Sequence, residues 1–147
     1  MSLLNKNTDY AVRALLQCAL TGGEAYLSSS EISRAQGIPL RFLRVLLQKL
    51  IKGGLLESRA GKGGGVRLAV PPAKISVLSV LRLMQEGGCV SQCLFRKRQC
   101  PMRSSCVLRP RLLAIEKKLE LEFSLLTIGG MAAELSKSAR KLKPARA

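Results

Sequence analysis

Three cysteines, Cys93, Cys100 and Cys106, fall in one short stretch, separated by six and then five residues. They are not read as core residues, because Arg96, Lys97, Arg98 and Arg103 lie among them and could not all be buried. Those cations favour the thiolate form, and they would offset the negative charge of a thiolate-bound iron–sulfur cluster. The triad together with its cations is read as the ligand set of such a cluster, of 2Fe–2S or 4Fe–4S type, although the spacing alone does not specify it. Two alternatives stay open. A zinc loop would need a fourth Cys or His, which Cys89 could supply. A cluster-free redox regulator would use the thiols directly, by reversible disulfide formation. Cys18 sits in an apolar helical pattern and reads as a small core residue. The chain has no His, which removes His ligands, His acid–base catalysis and His pH switching together. Neither an enzyme nor a small-molecule substrate is expected.

The elements that must position this stretch begin with residues 10–20, apolar at helical spacing and opened by Thr8 and Asp9 as cap and first-turn residues. Ser28 and Glu31 have capping-box spacing, which predicts a short second helix over 29–36, ended by Gly37. Pro39 suits the first turn of a third helix over 40–52, which stops at Gly53 and Gly54. Two β segments follow, 55–59 and 66–70, joined by a loop rich in glycine. Helix, helix, then a glycine-tipped hairpin is the order of a winged helix-turn-helix. Pro71 and Pro72 close this unit. A helix is predicted over 75–86, the cysteine loop over 87–106, and a long helix over 110–126 with Leu112, Ile115, Leu119, Phe123 and Leu126 as its stripe. A short amphipathic stretch, 128–135, precedes a basic tail expected to be disordered. The expected organisation is therefore a DNA-binding unit over 1–72, a cluster and dimerisation unit over 73–135, and a tail over 136–147. The fold class is mainly α with a small β-hairpin wing.

Charge separates these segments. Among 147 residues, 25 are Lys or Arg and 9 are Asp or Glu, a net charge of +16. Residues 31–74 hold nine basic and two acidic side chains, whereas residues 111–135 hold three and four. So large an excess points to an anionic polymer or surface. The long helix escapes it, which suggests packing against a second copy of the chain rather than against DNA. No apolar stretch approaches the ~20 residues of a membrane span. The expected location is the cytosol.

The third helix is two-faced. Leu43, Leu46, Leu47, Leu50 and Ile51 form a buried stripe, while Arg41, Arg44, Gln48 and Lys52 share the other side with no acid among them. A major groove admits one such helix, and a bidentate Arg–guanine pair contributes about 1–3 kcal/mol of base discrimination. Arg41 and Arg44 are the expected base readers, with Lys49, Lys52 and Lys74 on phosphates. Ser29, Pro39 and Phe42 complete the expected DNA-facing set. Around the hairpin glycines, Arg59, Lys62 and Arg67 fit a wing lying along the minor groove. A phosphate-binding loop is excluded, because the glycine it needs before Gly61 is replaced by Leu56.

These residues resemble the Rrf2 family of bacterial transcription regulators. The likeness runs through Thr8-Asp9-Tyr10-Ala11, Gln36-Gly37-Ile38-Pro39, Phe42-Leu43, Gly54-Leu55, Gly63-Gly64-Gly65, Ile75-Ser76, the three loop cysteines and Leu126-Thr127. It implies a homodimer crossed by its long helices, acting as a repressor on a pseudo-palindromic operator. It also implies one cluster per subunit on Cys93, Cys100 and Cys106, sensing iron, redox state or nitric oxide. One branch completes its site with a His where this chain has Arg109. Another uses an Asp from the partner subunit, and Asp9 matches it; the plain alternative for Asp9 is favourable placement at the positive end of its helix. Arg44 replaces a base-reading Glu, so the operator sequence does not carry over.

Overall fold

The first helix starts earlier than its apolar pattern. In the computed structural model, which describes residues 4–85, 101 and 104–141, α1 spans Lys6–Leu20 and is capped by Asn5. The Asn5 carboxamide oxygen accepts from the Thr8 backbone N–H at 2.9 Å. Thr8, expected as the cap, is instead fully buried inside the helix. Its hydroxyl donates to Asn5 Oδ1 at 3.0 Å and accepts from Gln85 Nε2 at 3.1 Å, so burial leaves it satisfied.

Helix α2, Ser29–Gln36, has the full capping box, with Ser28 and Glu31 each satisfying the other's backbone N–H. Gly37 ends it in the left-handed conformation. Helix α3, Leu40–Lys52, is entered through Pro39, which caps it rather than occupying its first turn. Leu43, Leu46, Leu47 and Leu50 are buried along one side, and Ile51 is only partly so.

Strands β1, Leu56–Arg59, and β2, Gly65–Leu68, pair antiparallel, with Glu57 opposite Arg67 and Ser58 opposite Val66. Leu27 joins this hairpin from the α1–α2 connection through a two-bond bridge to Val66, at 2.9 and 2.8 Å. Gly65 makes the approach possible: a Cβ there would lie 2.1 Å from the Leu27 carbonyl oxygen. The wing is thus tied to the strand leading into α2.

A 3-10 turn, Pro72–Lys74, leads to α4, Val77–Met84, shorter than the expected 75–86 because Ser76 caps it and Ile75 remains extended. Helix α5 spans Leu108–Leu125 and buries none of its residues. Arg82 and Glu120 pair at 3.5 Å between α4 and α5. Helix α6 runs Ile128–Lys141, so residues 136–141, expected in a disordered tail, are helical. Ala132 and Ala133 favour the helix, and Lys137 lies toward its negative end.

One core unites these elements. Ala11, Ala14, Leu15 and Cys18 of α1 pack in the same buried cluster as Ile32, Leu43, Leu50, Ile75, Val80, Met84 and Ile128. Residues on either side of the sequence boundary at 72 and 73 therefore share an interior. Backbone bonds from Val77 N to Leu126 O and from Ile128 N to Ile75 O, both 2.8 Å, fix the start of α6 beside the start of α4.

Candidate DNA-binding surface and cysteine site

The burial of the leucine side of α3 dictates what its other side presents. Arg41, Arg44, Gln48, Lys49 and Lys52 are all exposed, and no acid lies on the helix. The Arg41 guanidinium lies over the Phe42 ring, 4.6 Å from its centroid. Phe42 is 47% exposed and Val45 is 59% exposed, so apolar surface sits among the cations. That mixture suits base edges, where thymine offers a methyl group and guanine offers acceptors. Val45 was not anticipated, because its position lies between the apolar stripe and the basic row. Pro39 is exposed at the start of the helix, and Ser29 is half-buried at the start of α2.

The wing is less free than its sequence suggests. Lys62 is exposed at the tip. Arg59 stacks over Tyr26 at 4.2 Å and donates to the Gly63 carbonyl oxygen at 2.8 Å. Arg67, expected on the DNA side, is paired with Glu57 and also lies over the Tyr26 ring, 4.7 Å from its centroid. The Tyr26 hydroxyl donates to Glu57 Oε1 at 3.1 Å. Hydrogen bonds from Arg67 and then Tyr26 hold the Glu57 carboxyl below the usual carboxylate range, and Glu57 raises Arg67 in turn. Tyr26 and Glu57 were not singled out from sequence. The readable signal was the hairpin register, which sets Glu57 directly across from Arg67 as an opposite-charge pair.

Cys106 is a free, half-buried thiol two residues ahead of α5. Cys89, Cys93 and Cys100 lie outside the described residues. Asp9 is in the first turn of α1 with its side chain 56% exposed, and its carboxylate lies 3.6 Å from Arg13. Among the described residues no three His, Cys, Asp or Glu side chains gather as a metal-binding group. Cys18 is wholly buried, and burial pushes its thiol up to about 11. It is a core residue, as its pattern predicted.

Comparison with known proteins bears on this arrangement directly. The profile of the Rrf2 family, described as an iron-dependent transcriptional regulator, matches residues 4–134. The chain belongs to the Rrf2 family. It is a DNA-binding transcriptional regulator with a winged-helix fold. This Rrf2 chain is 36% identical over 124 residues to the protein aau3 of Rhizobium meliloti, covering 84% of the chain and 78% of that protein. It is 40% identical over 93 residues to the transcriptional regulator IscR of Aliivibrio salmonicida, covering 63% of the chain but only 55% of that relative's length. Among solved structures, the IscR of T. potens superposes with a TM-score of 0.73 at 24% identity, covering 98% of this chain and 93% of that one. The global cysteine regulator CymR of B. subtilis gives a TM-score of 0.73 at 19% identity, covering 91% and 98%. At these identities both structures establish the fold. Among the described residues no helix is long and apolar enough to cross a membrane.

Proposed function

We propose that this regulator is a cytosolic homodimeric repressor that binds a pseudo-palindromic operator and holds one iron–sulfur cluster per subunit. Cys93, Cys100 and Cys106 would be its ligands, with Asp9 of the partner subunit as the fourth. The donor chemistry fits: the Cys106 thiol is free and half-buried, and the Asp9 carboxylate is largely solvent-facing. Three thiolates and one weaker oxygen ligand suit a sensor, because one iron stays accessible to iron loss, oxidants or nitric oxide.

The observation that carries this reading is where Cys106 stands. It stands two residues ahead of α5, an 18-residue helix with no buried residue. Ile115, Leu121 and Leu125 are 49%, 59% and 70% exposed along it. A helix this apolar and this uncovered calls for a second subunit. Cys106 would therefore connect the ligand set to the dimer seam, and the seam would set the separation of the two α3 helices, near one turn of duplex. Arg41, Phe42, Arg44 and Gln48 would face base edges. Lys49, Lys52, Arg59 and Lys62 would meet phosphates, with Ser29 and Pro39 at the rim of the same surface.

Anaerobic purification followed by iron and sulfide analysis tests the ligand set. The expected result is coloured protein with iron and sulfide in proportion. Cys100→Ala should lose both the colour and the dependence of duplex affinity on iron. Colourless protein with stoichiometric zinc would defeat the proposal, as would equal operator affinity of iron-loaded and iron-free forms.

A further inference from the structure

The wing carries three cations, but the structure treats them differently. Tyr26 stands beside Leu27, the residue that bridges Val66 and anchors the hairpin. The Tyr26 ring lies under both Arg59 and Arg67, and its hydroxyl reaches Glu57. Glu57 and Arg67 face each other across the strands and are joined as an ion pair. A second Arg67 donor points to the Glu24 carbonyl oxygen at 3.4 Å. Residues 58–65, by contrast, contain Arg59 and Lys62 and no acid. We propose that Tyr26 is the positioning residue of the wing, and that Tyr26 and Glu57 hold Arg67 as an internal brace, leaving Arg59 and Lys62 to carry the wing's charge to duplex phosphate.

The assignment rests on the DNA-binding reading above and adds a division of labour to it. Arg67 spends its donors and its charge inside the protein, so it releases no counterion when the duplex arrives. Among the described residues Arg59 keeps its charge uncompensated, because its partners are an aromatic face and a backbone carbonyl. Each phosphate contact contributes about −0.9 to the slope of log affinity against log salt. That slope separates a cation touching DNA from one that only shapes the wing.

The test uses the full-length protein and the duplex it recovers from a randomised-sequence pool. Affinities are measured across a salt series. Arg59→Gln should make the slope shallower by about 0.9. Arg67→Gln should keep the wild-type slope and weaken binding a few-fold at every salt concentration. Glu57→Gln should free Arg67 and steepen the slope by up to about 0.9, and adding Arg67→Gln in that background should remove the gain. Tyr26→Phe keeps the ring and should keep the slope. A merely structural defect would not steepen any slope, so the Glu57→Gln arm decides the matter even if Arg67→Gln folds poorly. An Arg67→Gln slope reduced as much as that of Arg59→Gln would overturn the assignment, as would an unchanged slope for Glu57→Gln. Failure of the wild type to recover any duplex would instead overturn the DNA-binding reading beneath it.

Discussion

Replacing Gly65 with alanine tests how the wing is attached. The new methyl would lie 2.1 Å from the Leu27 carbonyl oxygen, 2.4 Å from its carbonyl carbon and 2.8 Å from the Ser28 nitrogen. All three are backbone atoms, so no side chain can swing aside. Relief requires separating β2 from residue 27, which breaks the Leu27 N–Val66 O and Val66 N–Leu27 O bonds of 2.9 and 2.8 Å. Each such bond contributes about 0.5–1.5 kcal/mol net. Gly65 also has φ +147, a region where a side chain costs about 1–3 kcal/mol. The sum centres on about 4 kcal/mol. Gly63 supplies the control, with φ +72 and nothing within 4 Å of its added Cβ. Its replacement meets only the left-handed penalty, about 1–2 kcal/mol. Urea unfolding followed by circular dichroism, at one fixed protein concentration, measures both. If Gly65→Ala and Gly63→Ala lost stability equally, within about 0.5 kcal/mol, the bridge to Leu27 would not be what seats the wing.

Ile128→Ala, at a fully buried position at the start of α6, should cost about 2–5 kcal/mol in the same unfolding assay. Cys18, with its thiol raised to about 11 by burial, should resist iodoacetamide in the folded protein and react only after unfolding, as peptide mapping by mass spectrometry would show. Glu31 is held low by its hydrogen bonds to Ser28, and Glu57 by those from Arg67 and Tyr26. A carboxylate depressed in the folded state contributes stability above its unfolded pKa and loses it as pH falls through the folded value. Stability should therefore decline on acidification below the ordinary carboxylate range, and Glu31→Gln should flatten that decline in unfolding curves taken from about pH 7 to about pH 3.

The winged helix was legible because local rules and burial agree there. Ser28 and Glu31 announced α2, Gly53 marked the end of α3, and the leucine spacing gave its buried side, while Pro39 and Ile51 were each placed slightly off, at the cap and at the edge of the core. The signals that failed were those overridden by distant contacts. Thr8 looked like a cap, yet Gln85, 77 residues later in the chain, satisfies it inside the core. Residues 136–141 are basic enough to suggest disorder, yet they continue a helix already anchored by Ile128. Arg67 looked like a free wing cation, because a charge count ignores the residue across the hairpin. Tyr26 gave no signal at all, since neither its neighbours nor its spacing shows that two arginines converge on its ring.

The placement of α6 has a consequence for biosynthesis. Its first residue, Ile128, fills the same interior as Ala11, Leu43 and Leu50 near the other end of the chain. A ribosome-bound nascent polypeptide that has completed α3 and the wing still lacks this plug. The winged-helix interior therefore closes only once α6 has left the exit tunnel, and not as α3 and the wing emerge.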